Sequence, residues 1–175
     1  DGSSGEHRQP FSVVIMQVLR GEAGVDFPVI LCFSQWKPQN FESKLAHTAA
    51  ELEQFLSPLC DAGVNIFHWS TRRFGEPEFD GSSLNLAGWV KKITAKPTIS
   101  VGSVGLSEEF VATYSDGSAE VAGIDELLSR MQADEFDLIA VGRALIANPD
   151  WANKVKNNDM DSIETFRKEQ LTELV

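Results

Sequence analysis

Four short apolar runs, at residues 29–33, 64–69, 98–101 and 138–141, divide the chain. The first, Val29-Ile30-Leu31-Cys32-Phe33 behind Pro28, is continuously apolar, as expected of a strand buried on both faces. Between the runs the apolar positions change to helical spacing. Phe11, Val14, Ile15, Val18 and Leu19 form one stripe ahead of the first run, and Gly21 and Gly24 break it. Leu52, Phe55, Leu56 and Leu59 form another within residues 48–62. Thr48 precedes Glu51 at the spacing of a capping box, and Gly63 ends that helix. A short helix with Trp89 is predicted over 84–92. A longer one is predicted over 119–132, with Ile124, Leu127, Leu128 and Met131 on its face and Gly123 weakening its start. Brief helices follow at 144–146 and, behind Asp150, at 151–156. Ile163, Phe166, Leu171 and Leu174 predict a terminal amphipathic helix over 161–174. Residues 1–8, 34–47, 70–83 and 106–117 read as loops, the last with a short helical piece.

The apolar runs begin near residues 29, 64, 98 and 138, so 34 to 40 residues apart, with helix between them. That is repeated βα architecture with parallel strands, an α/β fold. The length of 175 residues fits a single domain and suffices for a real core. Four βα units make either half of an eight-stranded barrel or a small open sheet, and the pattern alone does not separate the two. In both cases the loops that follow strand C-termini are where such folds place their sites.

Two strand ends carry the clearest chemistry. Residues 137–144, Asp-Leu-Ile-Ala-Val-Gly-Arg-Ala, run from an apolar strand into Gly142 and Arg143 and then into a helix. Glycine lets a ligand approach the backbone, free amides receive an anion, and arginine offers a forked cation suited to phosphate. Residues 98–105 repeat the design without the arginine, through Gly102 and Ser103. Side by side the two ends would form a phosphate cup; the plainer alternative is a pair of tight turns with a surface arginine. Neither end carries GxxxxGK[ST] or GxGxxG, which disfavours a P-loop and a standard dinucleotide site.

Other residues have two readings each. His68 ends the second strand, as a catalytic base or as a packed core residue. Arg72 and Arg73, with Glu76 and Glu78, read as an anion site or as an ion-paired loop. Cys32 has no cationic neighbour in sequence to favour a thiolate, so it reads as an inert core residue. Trp36, Trp69 and Trp89 line a planar-ligand pocket or simply pack. No nucleophile triad or metal-ligand cluster stands out, so no catalytic or metal residue is assigned.

Charge narrows the partners. A net charge of −11 argues against general nucleic-acid or anionic-membrane binding. Any phosphate site must therefore be local. No apolar run reaches membrane-spanning length, and no signal-like N-terminus is present, so the expectation is an acidic cytoplasmic protein. Two cysteines, Cys32 and Cys60, are too few for a disulfide scaffold.

Four collinear segments resemble the C-terminal half of the old yellow enzyme family, the FMN-dependent NAD(P)H:flavin oxidoreductases and ene-reductases. They are FPVILCFSQWK at 27–37, AGVNIFHWSTRRFGEPEFDGSSLNLAG at 62–88, KPTISVGSVGL at 96–106 and FDLIAVGRALIANPDW at 136–151. Gly2, Ser4, Glu6 and Arg8 are similar to a family segment that precedes this half. The resemblance implies one domain, residues 1–175, forming a (βα)4 half of a TIM-type barrel from the fifth to eighth βα units. It implies an FMN phosphate held by Gly102, Ser103, Gly142 and Arg143, with NAD(P)H as reductant. Cys32 stands where the family usually presents an arginine to the flavin. The four preceding strands, which supply the family's ring contacts and proton donor, have no counterpart in this sequence. The implied alternatives are a flavin oxidoreductase or a catalytically incompetent half-barrel that binds phosphate or FMN weakly or only assembles. An open half-barrel is expected to pair with a second copy or with a complementing half.

Overall fold

The computed structural model describes residues 5–37 and 43–172. In chain order its elements are α1 (Gly5–Ala23), β1 (Ile30–Ser34), α2 (Ala49–Asp61), β2 (Ile66–Ser70), α3 (Leu86–Thr94), β3 (Thr98–Val101), α4 (Phe110–Asp116), β4 (Ser118–Ala119), α5 (Asp125–Gln132), β5 (Leu138–Ala140), α6 (Arg143–Ala147), α7 (Trp151–Lys156) and β6 (Phe166–Arg167). Short 3-10 turns occupy Met160–Ser162 and Lys168–Thr172. The main sheet is parallel, in the order β1-β2-β3-β5. This is the predicted (βα)4 architecture.

The two faces of the sheet have different surroundings. Register places Leu31, Phe33, Phe67, Trp69, Thr98, Ser100 and Ile139 on one face. There Phe67 and Trp69 are fully buried against Leu52, Leu56 and Leu59 of α2 and Leu86 and Val90 of α3. Apolar burial of this kind is the main stabilising force, and truncating Leu56 to Ala costs about 2–5 kcal/mol. Ile30, Cys32, Ile66, His68, Ile99, Val101, Leu138 and Ala140 form the other face. That face has no covering layer among the described residues: Ile30 is 52% exposed and Leu138 51%. β1 and β5 each pair on one side only, so both edges are open among the described residues. The first strand is therefore not buried on both faces as its composition predicts. Its apolar residues suit a covered face that these residues do not supply.

Local chemistry explains the boundaries. Thr48 caps α2 by accepting from the Glu51 amide at 3.2 Å, the first half of the predicted capping box, while the Glu51 carboxylate accepts from the His47 amide, one residue before the cap, at 2.7 Å. Asn85 caps α3, accepting from Gly88 at 2.8 Å, while its side-chain amide donates to the Phe74 carbonyl at 2.7 Å and to Ser100 Oγ at 3.2 Å. One buried asparagine thus fixes the loop after β2 against β3. Arg20 of α1 donates to the carbonyls of Phe27 (2.6 Å) and Gly63, tying the entry to β1 to the entry to β2.

Three expectations are corrected. The helix predicted over 119–132 begins only at Asp125, because Ala119 pairs in β4 with Phe166 of β6. The terminal helix over 161–174 does not form within the described residues. Ile163 and Phe166 are buried in an extended segment instead, where Asn148 holds the backbone, accepting from the Glu164 amide at 2.8 Å, and Leu171 falls in the 3-10 turn that follows. The loop expected over 1–8 is helical from Gly5, so Glu6 and Arg8 stand in α1; Gly2, Ser4 and Leu174 lie outside the described residues.

Candidate functional site

The C-terminal ends of β2, β3 and β5 open onto a cleft of about 440 Å³. Gly102, Ser103, Gly142 and Arg143 all border it, so the fold brings the two glycine-ended strands to one place. Parallel pairing of β3 with β5 causes this, since it sets Val101 opposite Ala140 and delivers both following turns to the same rim.

The two glycines act differently. Gly102 has φ +136°, a conformation that side chains rarely adopt, and it packs on the backbone of residues 71–73. Gly142 has no heavy atom within 4 Å of where a side chain would begin, so its backbone faces open cleft. Ser103 also takes a left-handed conformation, with φ +52°. Its hydroxyl lies 3.1 Å from the carbonyl oxygens of Arg72 and Glu108, so it pins the turn rather than reaching outward. Among the described residues, the amides of Gly102, Ser103, Gly142 and Arg143 donate to no protein acceptor. Unpaired backbone donors in a half-buried cleft suit an anionic ligand.

Arg143 is anchored on one side. Its Nη2 donates to the Glu108 carbonyl at 2.7 Å and its Nη1 to the Glu109 carbonyl at 3.3 Å and to Thr113 Oγ1. Burial lowers its guanidinium pKa; the Arg73 charge adds to that and the Glu109 and Glu108 charges oppose it. An arginine stays cationic throughout the useful pH range. Glu109 caps α4, accepting from the Val111 and Ala112 amides at 3.0 Å each, and pairs with Arg72 at 3.2 Å. Burial alone would raise the Glu109 carboxyl, but the Val111 amide, Arg72 and the Ala112 amide together hold it below the usual glutamate value.

The remaining candidates divide. Trp36 and Arg72 line the cleft. Trp69 packs on Phe33 with ring centroids 5.5 Å apart and is fully buried in the core, and Trp89 packs on Phe79 at the same distance, half-buried against the core. Glu78 pairs with Lys44 at 2.9 Å, and Arg73 donates to the Ser107 carbonyl at 2.9 Å with Glu76 and Glu108 nearby. The ion-paired reading fits these. His68 lies on the uncovered sheet face beside Cys32 and does not border the cleft. Its buried Nε2 has no hydrogen-bond partner, and burial lowers its pKa, which favours the neutral ring. Cys32 is exposed rather than in the core, and partial burial of its sulfur pushes the thiol up. Its place on the uncovered face explains the difference. Among the described residues no group of three or more His, Cys, Asp or Glu is placed to hold a metal, and no helix is long and apolar enough to cross a membrane. Asn85, Glu109 and the clip of Arg143 onto α4 had no local signal in sequence, because each joins residues far apart in the chain.

No protein-family model matches the chain. A curated relative, an NADH oxidase from Thermoanaerobacter brockii, is 29% identical over 170 residues, covering 93% of this chain and 23% of its own. The chain thus spans about a quarter of that relative's length. Among solved structures, the old yellow enzyme from Trypanosoma cruzi superposes with a TM-score of 0.59 at 14% identity, over 89% of this chain and 35% of that one. The old yellow enzyme homologue from Zymomonas mobilis gives 0.57 at 13% identity, over 90% of this chain and 39% of that one. Histamine dehydrogenase from a Rhizobium species gives 0.57 at 17% identity, over 93% and 21%. By sequence the chain is similar to part of the NADH oxidase, and by fold to part of the old yellow enzyme structures, as a half-barrel of that kind.

Proposed function

We propose that the cleft holds the phosphate end of FMN and that the chain is part of an NAD(P)H:flavin oxidoreductase or ene-reductase. The observation that supports it most is the convergence of Gly102, Ser103, Gly142 and Arg143 on one cleft, with open space at Gly142. The fit is chemical as well as spatial. Unpaired amides and a fixed guanidinium suit phosphate oxygens, and a side chain at residue 142 would occupy the space that a ligand needs. Bound flavin would supply hydride transfer from NAD(P)H to an electron-poor acceptor. The chain's own residues would bind and orient: Arg143, anchored on the Glu108 and Glu109 carbonyls, would hold the phosphate end, Gly142 would let the ligand close on the backbone, and the Val101, Val104, Leu106 and Ile146 side chains that line the cleft would shield it from water.

One observation favours a second reading. The sheet face that carries Ile30, Cys32, Ile66, His68, Ile99 and Leu138 has no covering layer among the described residues. The chain on its own would then bind FMN or phosphate, or assemble, without turning over. The uncovered sheet face and the two open edges support assembly with a second copy or a complementing half-barrel.

The visible spectrum of the purified chain, before and after titration with FMN, is the test. A flavin spectrum that survives desalting supports the proposal; a colourless protein that takes up no FMN overturns it. Light scattering tests assembly. A dimer mass supports pairing of two copies, and a monomer at high concentration rules it out.

A further inference from the structure

Helix α1 is apolar on two opposite sides. It lies against α2, with Met16 buried and Val13 packed on the core. Arg20 works from the same side, donating to the Gly63 carbonyl. At about 3.6 residues per turn, Phe11, Val14, Ile15 and Val18 fall on the opposite side, with Leu19 at its margin. All five are exposed, Phe11 to 69% and Val18 to 60%, and nothing covers them among the described residues. A helix needs one apolar stripe to pack on its own core; a second, contiguous and exposed, marks an interaction surface. No residue of α1 borders the cleft. The stripe is also separate from the uncovered sheet face, because α1 stands with α2 on the other side of the sheet.

We propose that this stripe is a dimer surface, on which a second copy of the chain packs its own α1 antiparallel to the first. Charge favours that occupant. Residues 9–19, Gln-Pro-Phe-Ser-Val-Val-Ile-Met-Gln-Val-Leu, contain no charged residue in a chain of net charge −11. Two acidic copies repel each other, and the repulsion is least where neither presents a charge. Symmetry favours it too, since a two-fold interface must match its own copy. With the axis between Val14 and Ile15, each Val14 faces Ile15 of the second copy and each Phe11 faces Val18, so every member of the stripe's centre meets an apolar partner. Helices so placed pack side chain between side chains. Size is sufficient: at these exposures the five side chains of both copies amount to roughly 1,000 Å² of apolar surface, which a specific interface needs. The pairing continues the helical layer from α2 through α1 into the second copy and leaves the cleft and both sheet edges untouched. It does not depend on the phosphate reading of the cleft.

The experiment is light scattering across a concentration series on wild type, Val14→Glu, Val18→Glu and Leu138→Glu. Wild type should dimerise. Val14 and Val18 are exposed in the single chain, so glutamate there should leave the circular dichroism spectrum unchanged while weakening self-association about tenfold or more. Leu138→Glu, on the uncovered sheet face, should dimerise as wild type does. A wild type that stays monomeric at every concentration overturns the proposal. So does a dimer that survives both valine substitutions, or one that only Leu138→Glu abolishes, which would put the contact on the sheet face instead. If the glutamate variants fail to fold, Ile15→Cys in a Cys32→Ser background decides. An interchain disulfide on mild oxidation that the Cys32→Ser parent does not form supports pairing through α1, and its absence overturns it. Val14→Glu should also titrate with FMN as wild type does. A chain that dimerises through α1 yet takes up no FMN overturns the phosphate reading alone.

Discussion

Gly102 and Thr71 are in direct backbone contact: a side-chain carbon on Gly102 would lie 2.7 Å from the Thr71 carbonyl oxygen. The turn after β3 is therefore built on the backbone after β2, and neither can move alone. Gly102→Ala combines that clash with an unfavourable φ, and should cost about 2–4 kcal/mol. Chemical denaturation of the variant checks this, and a midpoint equal to wild type would contradict it.

Gly142 should behave in the opposite way. Nothing lies within 4 Å of a carbon added there, so Gly142→Ala should change stability by less than about 1 kcal/mol. The same methyl intrudes on the cleft, and FMN titration should show clearly weakened binding. Unchanged FMN affinity would remove Gly142 from the site.

Arg143→Ala should damage both fold and site. It removes the hydrogen bonds to Glu108, Glu109 and Thr113 that hold α4, worth about 1–3 kcal/mol in all. Amide exchange in α4 should accelerate while the core strands stay protected. FMN and phosphate binding should be lost, and retained affinity would refute the assignment of Arg143.

Acid should expose the role of Glu109. Its folded pKa lies below the ordinary value of 4.5, so its contribution is present above that value and is lost as pH falls through the folded pKa. Stability should therefore fall on acidification below about pH 4.5 more steeply in wild type than in Glu109→Gln. Urea midpoints measured across that range give the comparison, and parallel curves would argue against a strained-down carboxyl.

Much of this arrangement can be read from local sequence. The four strands, the Thr48–Glu51 cap and the two glycine-ended turns follow from periodicity and short-range chemistry, because their causes lie within a few residues. Parallel register then brings Gly102 and Gly142 to one rim without further information. What local sequence hides has distant causes. Ala119 joins β4 because Phe166 is its partner, 47 residues on, and helical spacing cannot see that pairing. Ile163 and Phe166 fit a helical stripe equally well until the Asn148 side chain takes up the backbone around Glu164. Arg72 reads as a loop charge until α4 brings Glu109 against it.

The unequal faces of the sheet make residue parity a sorting rule for mutations. Along β2, Phe67 and Trp69 are held by the folded core, and any change there is felt as the chain folds. Ile66 and His68, one position over, lie on the face without a covering layer among the described residues, where a change meets little of the core. Adjacent residues on one strand thus answer to two separate tests, one set by folding and the other by whatever surface that face adjoins.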